Sequence, residues 1–182
     1  MKNKNRAAWG FLLIALGAAG RALLAVPDAV SLAETVMTLL AVIGIALVGS
    51  RLRLALIPAG VALLLEVVLC GAQPGGVWVW LCPTLRAVDL WLQVAVVWLV
   101  AQCGAACVAE PDGVLKSGRA MCLTLTGVLG VETLLTICSK VSPASTVATT
   151  ANSVAFLVFS VLLLWYALYN IRLYNEMRAK KA

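Results

Sequence analysis

The chain has 182 residues, of which 63% are hydrophobic and only 12% charged, with a mean hydropathy of +1.01. A soluble domain is nearer half apolar and a quarter charged, so this composition excludes an ordinary water-soluble enzyme or binding module. The formal charge of +6 and the absence of histidine narrow the field further. The bases flank apolar segments and do not form a nucleic-acid-binding stripe, and without histidine there is no His-ligated haem, zincin site or His-based nucleophilic triad.

A hydrocarbon core about 30 Å thick needs roughly 17–25 apolar residues per helix. Segments 7–26, 29–48, 54–70, 87–108, 120–138 and 147–169 each meet that test. The reading is one all-α transmembrane domain over 1–182, a polytopic integral membrane protein built as a six-transmembrane-helix bundle.

In chain order, Lys2, Lys4 and Arg6 precede the first segment. A basic start suggests a signal peptide, but the apolar stretch is long and Arg21 stands where a cleavage region belongs, so a retained helix is expected. Gly10 and Gly17 lie a heptad apart, and Ala15/Ala19 and Ala18/Ala22 are small-x-x-x-small pairs that let backbones approach. Ordinary packing inside the bundle accounts for them. Pro27-Asp28 joins the first two segments, with Asp28 as the expected cap.

Ser50 to Arg53 is a tight basic turn, and Pro58 should loosen the start of the third helix. Gly71 to Gly76 reads as a flexible turn. Val77 to Arg86, with Trp78, Trp80 and Pro83, reads as an interfacial stretch or a short re-entrant piece at headgroup level. In the fourth segment, Cys103 and Cys107 sit one turn apart, a spacing read as packing and not as a metal or redox pair. Glu110-Pro111-Asp112-Gly113 is a turn by composition, as is Ser139 to Thr146 with Pro143. The tail from Tyr169 to Ala182 extends the last helix. Cys70, Cys82 and Cys138 fall at similar depth, and spacing leaves any disulfide among them open.

The basic groups Lys2–Arg6, Arg51/Arg53, Lys116/Arg119 and Arg172–Lys181 all fall on one side of a six-crossing topology. The excess of Lys and Arg marks the cytoplasmic side, so both termini are expected in the cytoplasm and the chain in the cell membrane. The segments Glu34–Leu39 and Glu132–Ile137 resemble each other, but their equal depth argues against a simple inverted repeat.

The opposite end holds the chemistry. Counting about 1.5 Å per residue from the helix ends puts Arg21, Glu34, Glu66, Arg86, Asp89, Gln93, Glu132 and Asn152 in the outer third of the helices, with Lys140, Thr149 and Ser153 nearby. An ionisable group near the membrane centre costs roughly 2.5–3.5 kcal/mol on insertion scales, so these residues should face the bundle interior and find partners. Arg21, Arg86 and Lys140 stand against Glu34, Glu66, Asp89 and Glu132. Pairs four residues apart share a helix face, which gives Glu34/Thr38, Asp89/Gln93 and Glu132/Thr136.

Two readings stay open. One is an internal ion network that fixes helix register in a structural or assembly subunit of a membrane complex. The other is an outward-facing polar pocket for a small zwitterionic or cationic solute, with those eight residues as its binding set. Trp78, Trp80, Trp91 and Trp98 suit a pocket wall or an interfacial belt. Gly-x-Ser-x-Gly, Walker A and His-based metal sequences are missing, so no enzyme, metal or cofactor is expected. The partners are the lipid bilayer, a small polar solute and other membrane subunits.

The six-helix layout, cytoplasmic termini, outward polar pocket and Ala-x-x-x-Ala pairs on the first helix resemble the substrate-binding S components of energy-coupling factor vitamin transporters. The resemblance implies a capture subunit whose Ala15/Ala19 and Ala18/Ala22 patch docks on a partner membrane subunit. The chain departs from that family in its very short first outer connection, where a longer lid is usual, which puts ligand enclosure in doubt.

Overall fold

In the computed structural model the described residues are 2–25, 30–72, 77–108, 111–141 and 146–179. The expectations placed on Pro27, Asp28, Gln73 to Gly76, Glu110, Pro143, Lys180 and Lys181 lie outside them, as do those on the side chains of Lys2, Lys4, Trp80, Lys140 and Thr149. The described residues are all-helical apart from short connections. The helices are α1 (Lys2–Leu24), α2 (Leu32–Val48), α3 (Arg53–Gly71), α4 (Trp78–Ala105), α5 (Pro111–Val141) and α6 (Thr146–Ala179), with a single 3-10 turn at Ser50–Leu52.

Five of these helices are long and apolar enough to cross a membrane, and α2 is a shorter apolar helix of 17 residues, about 25 Å long. Their surfaces are the inverse of a soluble protein's. Leu32, Leu54, Ile57, Leu64, Leu134 and Leu157 are exposed, while Glu34, Glu66 and Asp89 are completely buried. Lipid explains both, because it solvates leucine and penalises charge.

Several boundaries differ from the sequence reading. Ser31 caps α2, its hydroxyl accepting from the Glu34 amide at 3.1 Å. α4 begins at Trp78, so the supposed interfacial stretch is its first turns, with Pro83 inside. α5 begins at Pro111, at a position where a missing N–H costs nothing, and the expected turn there is the start of the helix. α6 runs on to Ala179, as the tail reading expected. Gly49 takes φ +89°, a conformation that favours glycine, and lets α2 turn into the 3-10 segment. At that same end Arg51 donates to the Ala106 carbonyl at 2.8 Å, closing the C-terminus of α4 with a cation.

Each helix packs on the helices before and after it in sequence, and α6 closes on α1. The result is a ring of antiparallel neighbours. α1 and α2 approach most closely. A Cβ built on Gly10 would stand 2.5 Å from the Gly44 carbonyl oxygen, and one on Gly44 would stand 2.6 Å from that of Gly10. Trp91 and Trp98 join α4 to α5, their indole N–H groups donating to Thr133 at 3.3 Å and Thr126 at 3.0 Å. Phe11, Ile45, Val100, Leu125 and Leu173 fill the ring's interior.

The alanine patch belongs to that interior. Ala15 and Ala18 are buried, and Ala19 and Ala22 pack against the core, so the face expected to dock a partner is already used inside the bundle. Cys107 donates its thiol to the Cys103 carbonyl at 3.5 Å, and both side chains pack on the core. The six cysteines are free.

Gly10→Ala or Gly44→Ala should therefore lower stability by about 1–3 kcal/mol through overpacking. Gly127→Ala, where an added Cβ meets open space, should change it by no more than about 0.5 kcal/mol. Thermal unfolding in detergent distinguishes the two classes.

Candidate functional site

Four consecutive helices deliver ionisable groups to one point inside the ring. Arg21 comes from the last turn of α1, Glu34 from the first turn of α2, Glu66 from the outer part of α3, and Arg86 and Asp89 from α4. Ser31 fixes the first turn of α2 through the Glu34 amide. The Glu34 carboxylate is thereby free to enter the bundle without folding back on its own helix end.

Arg21 is the hub. Its Nη2 lies 2.9 Å from Glu34 Oε1 and 3.8 Å from Asp89 Oδ2, and its Nη1 lies 2.7 Å from Glu66 Oε1. Nη1 also donates to the Thr38 hydroxyl at 2.9 Å, and that hydroxyl donates to Glu66 Oε1 at 2.9 Å. Arg86 supplies the second cation, with Nη2 at 2.7 Å from Glu34 Oε1 and Nη1 at 3.3 Å from Asp89 Oδ2. The Gln93 amide bridges two acids, donating to Glu66 Oε1 at 3.1 Å and to Asp89 Oδ2 at 2.8 Å.

Every acid thus gathers its donors on one oxygen. Among the described residues, the other oxygens, Glu34 Oε2, Glu66 Oε2 and Asp89 Oδ1, are buried and meet no donor, and the Nε of both arginines meets no acceptor. A buried group left unsatisfied costs about 1–3 kcal/mol, more if charged, so such a concentration at one spot calls for an explanation beyond register.

On the inner side of the cluster lies a cavity of about 60 Å³. Arg21, Thr38 and Gln93 form its charged end, Ile45, Ala59 and Val97 are among its apolar walls, and Tyr166 also lines it. The Tyr166 hydroxyl is buried and has no hydrogen-bond partner. One turn further along α6, Asn170 donates to the Tyr166 carbonyl at 2.9 Å.

Six of the eight residues expected at the site, Arg21, Glu34, Glu66, Arg86, Asp89 and Gln93, converge. Glu132 is buried on α5 beside Thr136 and within electrostatic reach of Arg86, but it forms none of the cluster's ion pairs. Asn152 accepts from Thr136 at 3.0 Å and so belongs to the α5–α6 contact. Trp91 and Trp98 join helices and do not line the cavity. Sequence reasoning paired Thr38 with Glu34 alone and overlooked Tyr166, although Tyr166 and Asn170 are a polar pair at one-turn spacing in an apolar segment. Among the described residues no group of acids and cysteines could hold a metal ion.

Comparison with protein-family models, with curated proteins and with solved structures gives no match. Geometry alone therefore carries the functional reading.

Arg21→Met should destabilise the protein by about 3–5 kcal/mol, because it strands buried acids. Arg172→Met, which removes an exposed pair with Glu176, should cost less than about 1 kcal/mol. Adding Glu34→Gln to Arg21→Met should recover part of the loss, a non-additivity that a double-mutant cycle in unfolding experiments reads directly.

Proposed function

We propose that the chain is a multi-pass subunit of the cell membrane, with six spans and both termini in the cytoplasm, that captures a small cationic or zwitterionic solute at its outer end. The observation that carries this reading is the row of bare carboxylate oxygens in a cluster with more acids than bases. An ammonium group is a compact charge with several donors, the complement those oxygens ask for. In this closed arrangement the arginines occupy the acids, and a solute would enter by exchanging with them. Residues 32–48 form the shortest of the six spans. The basic residues around Arg6, Arg51, Arg119 and Arg172 support the orientation.

The resemblance to S components enters here at the level of helix number and the outer polar cluster. The inward-facing alanines of α1 do not support docking through that patch, so any partner membrane subunit would use another face. A second reading, a structural or assembly subunit, is favoured by one observation: the ion pairs join α1, α2, α3 and α4 to one another, which by itself fixes register.

The two readings part in one experiment. Purified protein is melted against a panel of primary amines, quaternary amines and amino acids. A solute that binds the folded state at about 100 times its Kd should add roughly 2.7 kcal/mol to apparent stability. Glu66→Gln leaves two acids for two bases, so it should fold with a loss under about 1.5 kcal/mol, as a near-isosteric change, yet lose the response to the amine. Silence of the wild-type protein across the panel would favour the structural subunit.

A further inference from the structure

Within the cluster one charge is left over. Glu34, Glu66 and Asp89 face Arg21 and Arg86, so 3 − 2 = 1 negative charge is uncompensated when every acid is ionised. Among the described residues the other elements do not cancel it. α5 adds a further acid, Glu132, and α6 adds the neutral Tyr166. A net charge held away from water costs several kcal/mol, and a metal ion has no ligand set here among the described residues. The remaining counter-charge that fits a bare, enclosed carboxylate oxygen is a proton.

Geometry also says where it sits. Glu34 Oε1 takes both guanidiniums, at 2.9 and 2.7 Å, so both cations already face it. Asp89 has only long guanidinium contacts of 3.3 and 3.8 Å. Glu66 shares Arg21 Nη1 with Thr38. The Gln93 amide ties Glu66 and Asp89 together, and two neighbouring carboxyls held so closely titrate as a unit. The cavity is a second, independent observation. It begins at Arg21, Thr38 and Gln93 and reaches Tyr166, whose buried hydroxyl lacks a partner. Its volume of about 60 Å³ is ample for water, since roughly 10–15 Å³ of such space admits one molecule.

We propose that the cluster binds one exchangeable proton, shared by Glu66 and Asp89, and that water in the cavity, anchored at its far end by the Tyr166 hydroxyl, exchanges that proton. The proton resides as a carboxyl O–H on one of the two bare oxygens and leaves as hydronium along the water, restoring the carboxylate. On the solute reading above, an entering ammonium replaces it charge for charge, so solute binding releases one proton. The proton site itself does not depend on that reading.

Infrared spectroscopy of the purified protein tests the site with no solute present. The Glu132→Gln background removes the other buried acid among the described residues. At neutral pH it should show the carbonyl stretch of a protonated carboxyl that shifts in D2O. Glu66→Gln and Asp89→Asn should each abolish the band, since two acids then match two bases. Glu66→Asp should move it, and Glu34→Asp should leave its frequency unchanged. Tyr166→Phe should keep the band but slow its deuterium exchange severalfold.

Absence of any protonated-carboxyl band in the wild-type protein would overturn the proposal, and so would a band that survives Glu66→Gln in folded protein. If Glu66→Gln does not fold, the Glu66→Asp spectrum decides. An exchange rate unchanged in Tyr166→Phe would overturn the water path. Loss of the amine response with the band intact would count against solute capture alone.

Discussion

The Arg21 guanidinium is the constraint from which the rest of the structure follows. One planar cation at the end of α1 meets acids from α2, α3 and α4 at once. Buried charges persist only when paired, and each of these acids takes a guanidinium contact from Arg21 while Arg21 takes its compensation from them. The interaction therefore determines which faces of four helices turn inward. Leucines on the opposite faces are left to the lipid, where they need no partner. Without a hydrophobic drive between helices in lipid, association depends on close packing and polar contacts. The two are divided here by depth, with the glycine contact of Gly10 and Gly44 towards the basic end and the ion cluster towards the other.

Arginine suits the hub where lysine would not. Its fork presents several donors in fixed directions, and here Nη1 serves Glu66 and Thr38 while Nη2 serves Glu34 and Asp89. Arg86 repeats the pattern on a smaller scale. The geometry uses one oxygen of each acid twice or three times and leaves its twin bare. A network evolved only to fix register would be expected to spread its donors over both oxygens, because each unmet oxygen lowers stability. The concentration on one side leaves a set of acceptor positions open at a cost of about 1–3 kcal/mol each, which is the feature the proposed function accounts for.

Much of this was legible in the sequence, for reasons that can be named. Depth along a helix follows from counting residues, so Arg21, Glu34, Glu66 and Asp89 could be brought to one level before any coordinates. Azimuth does not follow from counting. Glu132 lies at the expected depth yet forms no ion pair with the cluster, because the rotation of α5 is set by its packing on α4 and α6. Pro111 misled because proline signals a break, yet at a helix start it removes a donor that has nothing to bond, whereas Pro83, six residues into α4, gives up a ladder bond and is still accommodated inside the helix. Ser31 caps α2 because Ser-x-x-Glu places a hydroxyl on the Glu34 amide. The alanine pairs of α1 marked a close contact correctly, but composition could not say whether the contact was inside the ring or outside it.

Closure of the ring decides what the polar end can do. α6 returns to α1 and completes the ring. Towards the basic end the interior is blocked by large apolar residues, Phe11, Val100 and Leu173 among them. Towards the other end Arg21, Arg86 and Gln93 keep a trace of exposure, 6%, 8% and 8%, while Glu34, Glu66 and Asp89 have none. Among the described residues, access to the acids therefore passes by these side chains. Any group that enters must be cationic enough to replace a guanidinium contact and small enough to pass it. On the proposed function, a neutral solute would break ion pairs without replacing a cation and an anion would add to an already negative excess, so the same pairs that hold the helices would also set the charge of what is admitted.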